Sequence, residues 1–120
     1  MTKYIFWVLT VAWAVLIWRL TTTTQIVVTE EYWLQNILMM GAHFTFFGIQ
    51  AVLFFVALPT NISLLSPSIF SIVLSSTYGL LIELVQRAVP GRSADPLDWL
   101  LDTLGAIAFL FILKKLQSRV

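Results

Sequence analysis

Polar and apolar positions divide this chain into four long apolar runs joined by short polar links. The runs cover about 4–20, 33–58, 68–89 and 97–116, each near the ~20 residues an α-helix needs to cross a bilayer. The second is long enough to cross with tilt. Polar residues inside the runs keep a helical period. Asn36, His43 and Gln50 recur every seven residues in the second run, near one helical face. Ser76, Gly79, Glu83 and Gln86 follow i, i+3, i+7, i+10 in the third, and Asp98, Asp102 and Gly105 follow i, i+4, i+7 in the fourth. An acid facing lipid at mid-membrane costs about 2.5–3.5 kcal/mol even on insertion scales. The three stripes are therefore expected to face one another. The predicted fold class is all-α, a four-helix transmembrane bundle with a polar interior, built as a single domain over 1–120.

The links carry the signals that start and stop helices. A Thr-rich stretch at 21–24, PTNISLLSPS at 59–68 and PGRSAD at 90–95 separate the runs. Val89-Pro90-Gly91 should end the third helix, because proline disfavours helical backbone in the residue before it. Asp95-Pro96-Leu97-Asp98 should start the fourth, with Asp95 as N-cap, Pro96 as first helical residue and Asp98 as the acid of a capping box. Trp33 and Trp99, near run ends, suit the membrane–water interface. The first run follows Lys3 and could be a secretion signal, but it exceeds a typical signal core and no small-x-small cleavage pattern follows Trp18. A retained helix is expected.

Composition supports the membrane reading. The chain is 59% hydrophobic and 11% charged, against about 25% charged in average soluble domains. A soluble domain this small buries only ~60–70% of the surface its unfolded chain exposes, too little to hide so much apolar surface. A net charge of +1 gives no field to attract nucleic acid, and the absence of cysteine rules out disulfides and thiolate metal sites. With four spans, one side of the membrane carries Lys3, Lys114, Lys115 and Arg119, and the other Arg19, Arg87 and Arg92. By the positive-inside rule both termini are expected in the cytoplasm and the 21–32 and 90–95 links outside.

Charge is also concentrated. Six of the thirteen Asp, Glu, Lys and Arg residues lie in 82–102, IELVQRAVPGRSADPLDWLLD. At 1.5 Å rise per residue, Glu83 and Asp102 lie roughly 8 Å inside their helix ends and His43 roughly 15 Å inside its own. Ionisable groups from three helices should thus descend from the outer surface toward the middle. The candidate site is His43, Glu83, Gln86, Arg92, Asp98 and Asp102. Intramembrane acids are functional candidates by default. Glu83 reads either as a proton acceptor or ligand-binding acid, or as half of a buried pair with Arg87 or Arg92 that locks the loop to the bundle. His43 reads as a proton relay or a satisfied core histidine. A His–Glu–Asp metal site is possible by residue type, but its spacing is a weak signature; no metal or cofactor is expected. Gly41 and Gly48 are expected to let helices approach closely.

His43-Phe44, Tyr78, Ile82-Glu83, Gln86, Pro90-Gly91-Arg92, Asp98 and Gly105 together resemble the VanZ-like membrane proteins, over about 36–113. That family shows a His-Phe helix, an acid followed by Gln, a Pro-Gly-Arg turn and an Asp-x-x-x-Asn-x-x-Gly helix. Here Met39-Met40 stands where Asp-Lys is common, Phe47 where tyrosine is common, and Asp102 in place of the asparagine. The resemblance implies a bacterial envelope membrane protein, and the family name comes from glycopeptide resistance, specifically to teicoplanin.

Two functions lead. The first is a non-enzymatic envelope protein whose outward polar pocket binds a membrane lipid, an amphiphile or a lipid-linked precursor. The second is an intramembrane acid–base enzyme acting on a lipid-linked anionic substrate, with Arg92 on the anion. A proton-coupled carrier would need dimerisation, since no inverted repeat is visible, and a small assembly subunit would use the polar core for packing alone. A homo-oligomer is compatible with all of these.

Overall fold

The computed structural model describes residues 2–23, 27–59, 66–90 and 95–119. They form four α-helices, α1 (Thr2–Thr22), α2 (Tyr32–Ala57), α3 (Pro67–Gln86) and α4 (Pro96–Gln117), with no strand among the described residues. All four are long and apolar enough to cross a membrane. The chain is an all-α, four-helix membrane protein.

Local chemistry sets the helix ends. α1 continues through threonines that the sequence suggests as a link. Each hydroxyl bonds back one turn, Thr21 Oγ1 to the Ile17 carbonyl and Thr22 Oγ1 to the Trp18 carbonyl, both at 2.6 Å, so neither side chain needs water. The link into α2 is held by Gln35, whose Oε1 accepts from the Val28 and Thr29 amides at 2.8 and 3.3 Å. Ser66 caps α3 by accepting from the Ile69 amide at 3.2 Å. α3 stops at Gln86, short of the residue before Pro90; its end closes through Ala88 N to Val85 O at 3.0 Å and Val89 N to Gln86 O at 3.2 Å. α4 begins as its sequence signals say: Asp95 accepts from the Leu97 amide at 3.0 Å, and Pro96 follows as first helical residue.

The helices alternate in direction, so α2 and α4 run parallel. α2 and α3 touch each other and both touch α1 and α4, while α1 and α4 stand on opposite sides of that pair. α2 and α4 approach most closely. A Cβ built on Gly105 would overlap the backbone carbonyl of Phe44, and one on Gly48 would overlap the Phe109 ring. Elsewhere the contacts are side chains bonding to carbonyls of the next helix. Trp13 Nε1 donates to the Phe46 carbonyl at 2.9 Å, Tyr78 donates to the Ala14 carbonyl, Ser75 to the Phe47 carbonyl at 3.0 Å, and Trp99 Nε1 to the Ser76 carbonyl at 2.9 Å. Lipid offers no hydrophobic drive for helix association, so close packing and such polar links must supply it.

The interior is polar, as the stripes predict. Thr21, Gln35, His43, Gln50, Ser71, Ser75, Glu83, Gln86 and Asp102 are buried, beside a small apolar core of Ile17, Phe47 and Ile82 at one level and Ala51, Ala106 and Leu110 at another. Two expectations fail, the first because α2 overhangs the bundle. Asn36 is exposed, and a Cβ on Gly41 would meet nothing. α2 is 26 residues long and its first turns project beyond the bundle, leaving Tyr32, Trp33, Ile37 and Leu38 exposed. Only from His43 onward does the predicted face meet its neighbours.

Replacing Gly105 with alanine should cost about 1–3 kcal/mol, the range for overpacking, because the new methyl meets backbone that cannot rotate away. Gly48→Ala should cost less, since the Phe109 ring can turn. Denaturant unfolding in mixed micelles should rank the two variants in that order.

Candidate functional site

α2, α3 and α4 converge at the end of the bundle where α3 finishes and α4 begins. His43 is the centre of the convergence. Its Nδ1 lies 2.9 Å from Asp102 Oδ1, and its Nε2 lies 3.7 Å from Asp98 Oδ2. The two aspartates are four residues apart on α4, so they project from one face and straddle the ring. With Asp102 ionised, a carboxylate can only accept, so the bond holds the proton on Nδ1 and aims Nε2 at Asp98. Phe47, one turn further along α2, lies parallel to the imidazole with centroids 6.4 Å apart. Asp102 fits because Gly79 on α3 leaves it room: a Cβ there would sit 2.8 Å from Asp102 Oδ2. The His43 and Asp102 side chains are almost wholly enclosed, with Asp98 nearer the surface.

The level of the site differs from the sequence expectation. His43 is eleven residues into α2, about 16 Å, whereas Asp102 is six residues into α4, about 9 Å. They touch because α2 starts about 7 Å farther out than α4. His43 therefore sits level with the first turns of α4, and the groups gather in one layer near the end of the bundle.

Glu83 and Gln86 belong to the last turn of α3 and are both buried. Glu83 is within electrostatic range of Asp98, Arg87, Asp95 and His43. It makes no ion pair among the described residues, and its Oε1 has no hydrogen-bond partner there. The pair with Arg87 that the sequence allows does not form, and Arg87 is exposed. Gln86 Nε2 donates to the Thr21 carbonyl at 3.2 Å, and its Oε1 is likewise unpartnered. Arg92, the remaining candidate, lies outside the described residues. No three His, Asp or Glu side chains among the described residues are arranged to hold a metal ion.

Beside this polar layer lies a cleft of about 150 Å³ between α1 and α2, lined by Leu20, Thr21, Met39, Ala42, His43, Phe46 and Phe47. Its wall is mainly apolar, with His43 and Thr21 as its polar members. Sequence reasoning missed Thr21 because it reads as part of a link. The signal that could place it is its spacing from Ile17, which allows a helical back-bond.

Removing both partners of the His43–Asp102 bond should reveal strong coupling. A double-mutant cycle with His43→Ala and Asp102→Ala, read by unfolding in micelles, should give roughly 1–3 kcal/mol, the upper part of the range for residues in direct contact. It should exceed the ~0.6 kcal/mol average of interhelical hydrogen bonds in a membrane protein, because a charge takes part.

Comparison with curated proteins and with solved structures gives no match. The VanZ/LLP1 family model matches residues 4–117, nearly the whole chain and all four helices. This four-helix membrane protein belongs to the VanZ/LLP1 family.

Proposed function

We propose that this protein serves the bacterial envelope by binding an amphiphile or a lipid-linked precursor, and that it contributes in this way to glycopeptide resistance of the teicoplanin type. The observation that carries the reading is the shared border of two unlike surfaces. His43 belongs both to the carboxyl-rich layer with Asp98 and Asp102 and to the wall of the apolar cleft. A ligand with a polar head and an apolar body would satisfy both at once, and sites of that make-up are typical of small-molecule pockets. The outward orientation of this end rests on Lys114 and Lys115, which lie in the last turn of α4 at the opposite end and favour a cytoplasmic location there. Teicoplanin carries an acyl chain, which matches the two-part site.

The experiment is a gene deletion complemented by wild type or by His43→Ala. Deletion should make the host several-fold more sensitive to teicoplanin; wild type should restore resistance and His43→Ala should not. Unchanged sensitivity after deletion, in a host that ordinarily survives the drug, overturns the resistance role.

A second reading has its own support. A carboxylate on Nδ1 that orients a histidine is the arrangement of an acid–base pair, so the same layer suits an intramembrane enzyme acting on a lipid-linked anionic substrate. On that reading Glu83→Gln should abolish turnover of lipid-phosphate substrates by the purified protein. Equal rates from both proteins would remove Glu83 from the chemistry.

A further inference from the structure

The polar atoms in the wall of the α1–α2 cleft are already engaged elsewhere. Thr21 and His43 are its two polar side chains. Thr21 donates its hydroxyl proton to the Ile17 carbonyl at 2.6 Å, and its own carbonyl accepts from Gln86 at 3.2 Å. His43 turns both ring nitrogens to α4, Nδ1 to Asp102 at 2.9 Å and Nε2 toward Asp98 at 3.7 Å, which leaves ring carbon for the cleft. The Phe46 and Phe47 carbonyls accept from Trp13 and Ser75. A polar head placed here would give up its water and find no donor in return. Water itself needs two to four polar partners to occupy such a space, and this wall does not offer them. The wall chemistry therefore selects an apolar occupant.

Shape and setting say which one. A space of about 150 Å³ accepts a group near the size of benzene, about six carbon atoms. Its aromatic walls are held from behind. Phe46 packs edge-on against Trp13 with centroids 5.6 Å apart, and Phe47 lies between His43 and Tyr78 at 6.4 and 6.0 Å. The cleft is thus formed before anything enters it, as binding sites usually are. Met39 adds an unbranched side chain that adapts to what it meets.

The mouth opens sideways. Leu20, Met39, Ala42 and Phe46 are only partly buried. Leu16, one turn from Leu20, and Leu38, one turn from Ala42, are exposed. On helices of membrane-spanning length, exposed leucines face lipid. The apolar wall therefore continues without a polar rim into the lipid-facing surface. Left empty, the lining would forfeit its dispersion contacts on one side.

We propose that the α1–α2 cleft seats one hydrocarbon chain of a membrane lipid, which enters from the side while its head group stays outside. The inference rests on the amphiphile-binding reading above and assigns the cleft to the chain alone.

The test uses the full-length protein in phosphatidylcholine nanodiscs doped with one of two photoreactive lipids. One is a phosphatidylcholine with a diazirine in an acyl chain, the other a phosphatidylethanolamine with the diazirine on its head group. After illumination, mass spectrometry compares the label on Met39, Ala42 and Phe46 with that on Leu16 and Leu38, which border the mouth. The chain probe should label the cleft residues several-fold more than Leu16 and Leu38, and the head probe should not. Ala42→Phe, which fills the cleft, should bring the label on Met39 and Phe46 down to that on Leu16 in protein shown to be folded by its thermal transition. The two wild-type profiles decide the inference even where that variant does not fold. Enrichment of the head probe in the cleft overturns the assignment to the chain and leaves amphiphile binding standing. Chain labelling of the cleft that survives Ala42→Phe in folded protein overturns it too. Labelling by both probes no greater than at Leu16 and Leu38 overturns it as well, and the amphiphile reading then stands or falls on the teicoplanin complementation alone.

Discussion

The approach of α2 to α4 at Gly105 is the contact on which the rest of the structure depends. A glycine there lets the α4 backbone come against the Phe44 carbonyl, and no other residue type would. In lipid this closeness replaces the hydrophobic drive that would hold a soluble bundle together. It also brings the neighbouring residue of α2, His43, within 2.9 Å of Asp102, one turn before Gly105 on α4. Fold and site are thus the same contact seen at two positions. Gly79 completes it from the third side, since any larger residue on α3 would press on the Asp102 carboxylate.

Unequal helix ends give the site its location. α2 projects past the start of α4, so a histidine far along its own helix still meets the opening turns of α4. The polar groups consequently collect near one end of the bundle, and the deeper core around Ala51, Ala106 and Leu110 is mainly apolar, with Gln50 and Ser71 as buried polar members. Asp102 is the position where the chain departs from the asparagine of the family pattern, and it is this residue that bonds His43. The departure puts a carboxyl group against the imidazole where asparagine would put an amide.

Two groups of polar side chains contrast here. Those of Trp13, Ser75, Tyr78 and Trp99 are spent on carbonyls of neighbouring helices and act as fasteners. Those of Gln50, Glu83 and Gln86 leave atoms unpaired among the described residues. Gln50 lies deeper along α2, away from the charged layer, and the structure offers no functional account of it. Glu83 lies within electrostatic range of His43 and Gln86 bonds the Thr21 carbonyl, but neither lines the α1–α2 cleft.

The sequence by itself determined that the chain is four membrane-length helices, because hydrophobic run length and helical period are local properties. It also determined where α4 begins, since Asp95-Pro96 encodes a cap without help from other helices, and which faces of α3 and α4 turn inward. It could not determine that Asn36 lies outside the bundle while His43, on the same stripe, lies within. That depends on how far α2 overhangs α4, which is decided by the Gly105–Phe44 contact. Nor could it separate Arg87, exposed, from Glu83, buried one turn away, or reveal that Thr21 closes against Gln86. Such pairings join residues as many as 65 positions apart. Only the packing of the helices, set by where backbones can touch, brings them together.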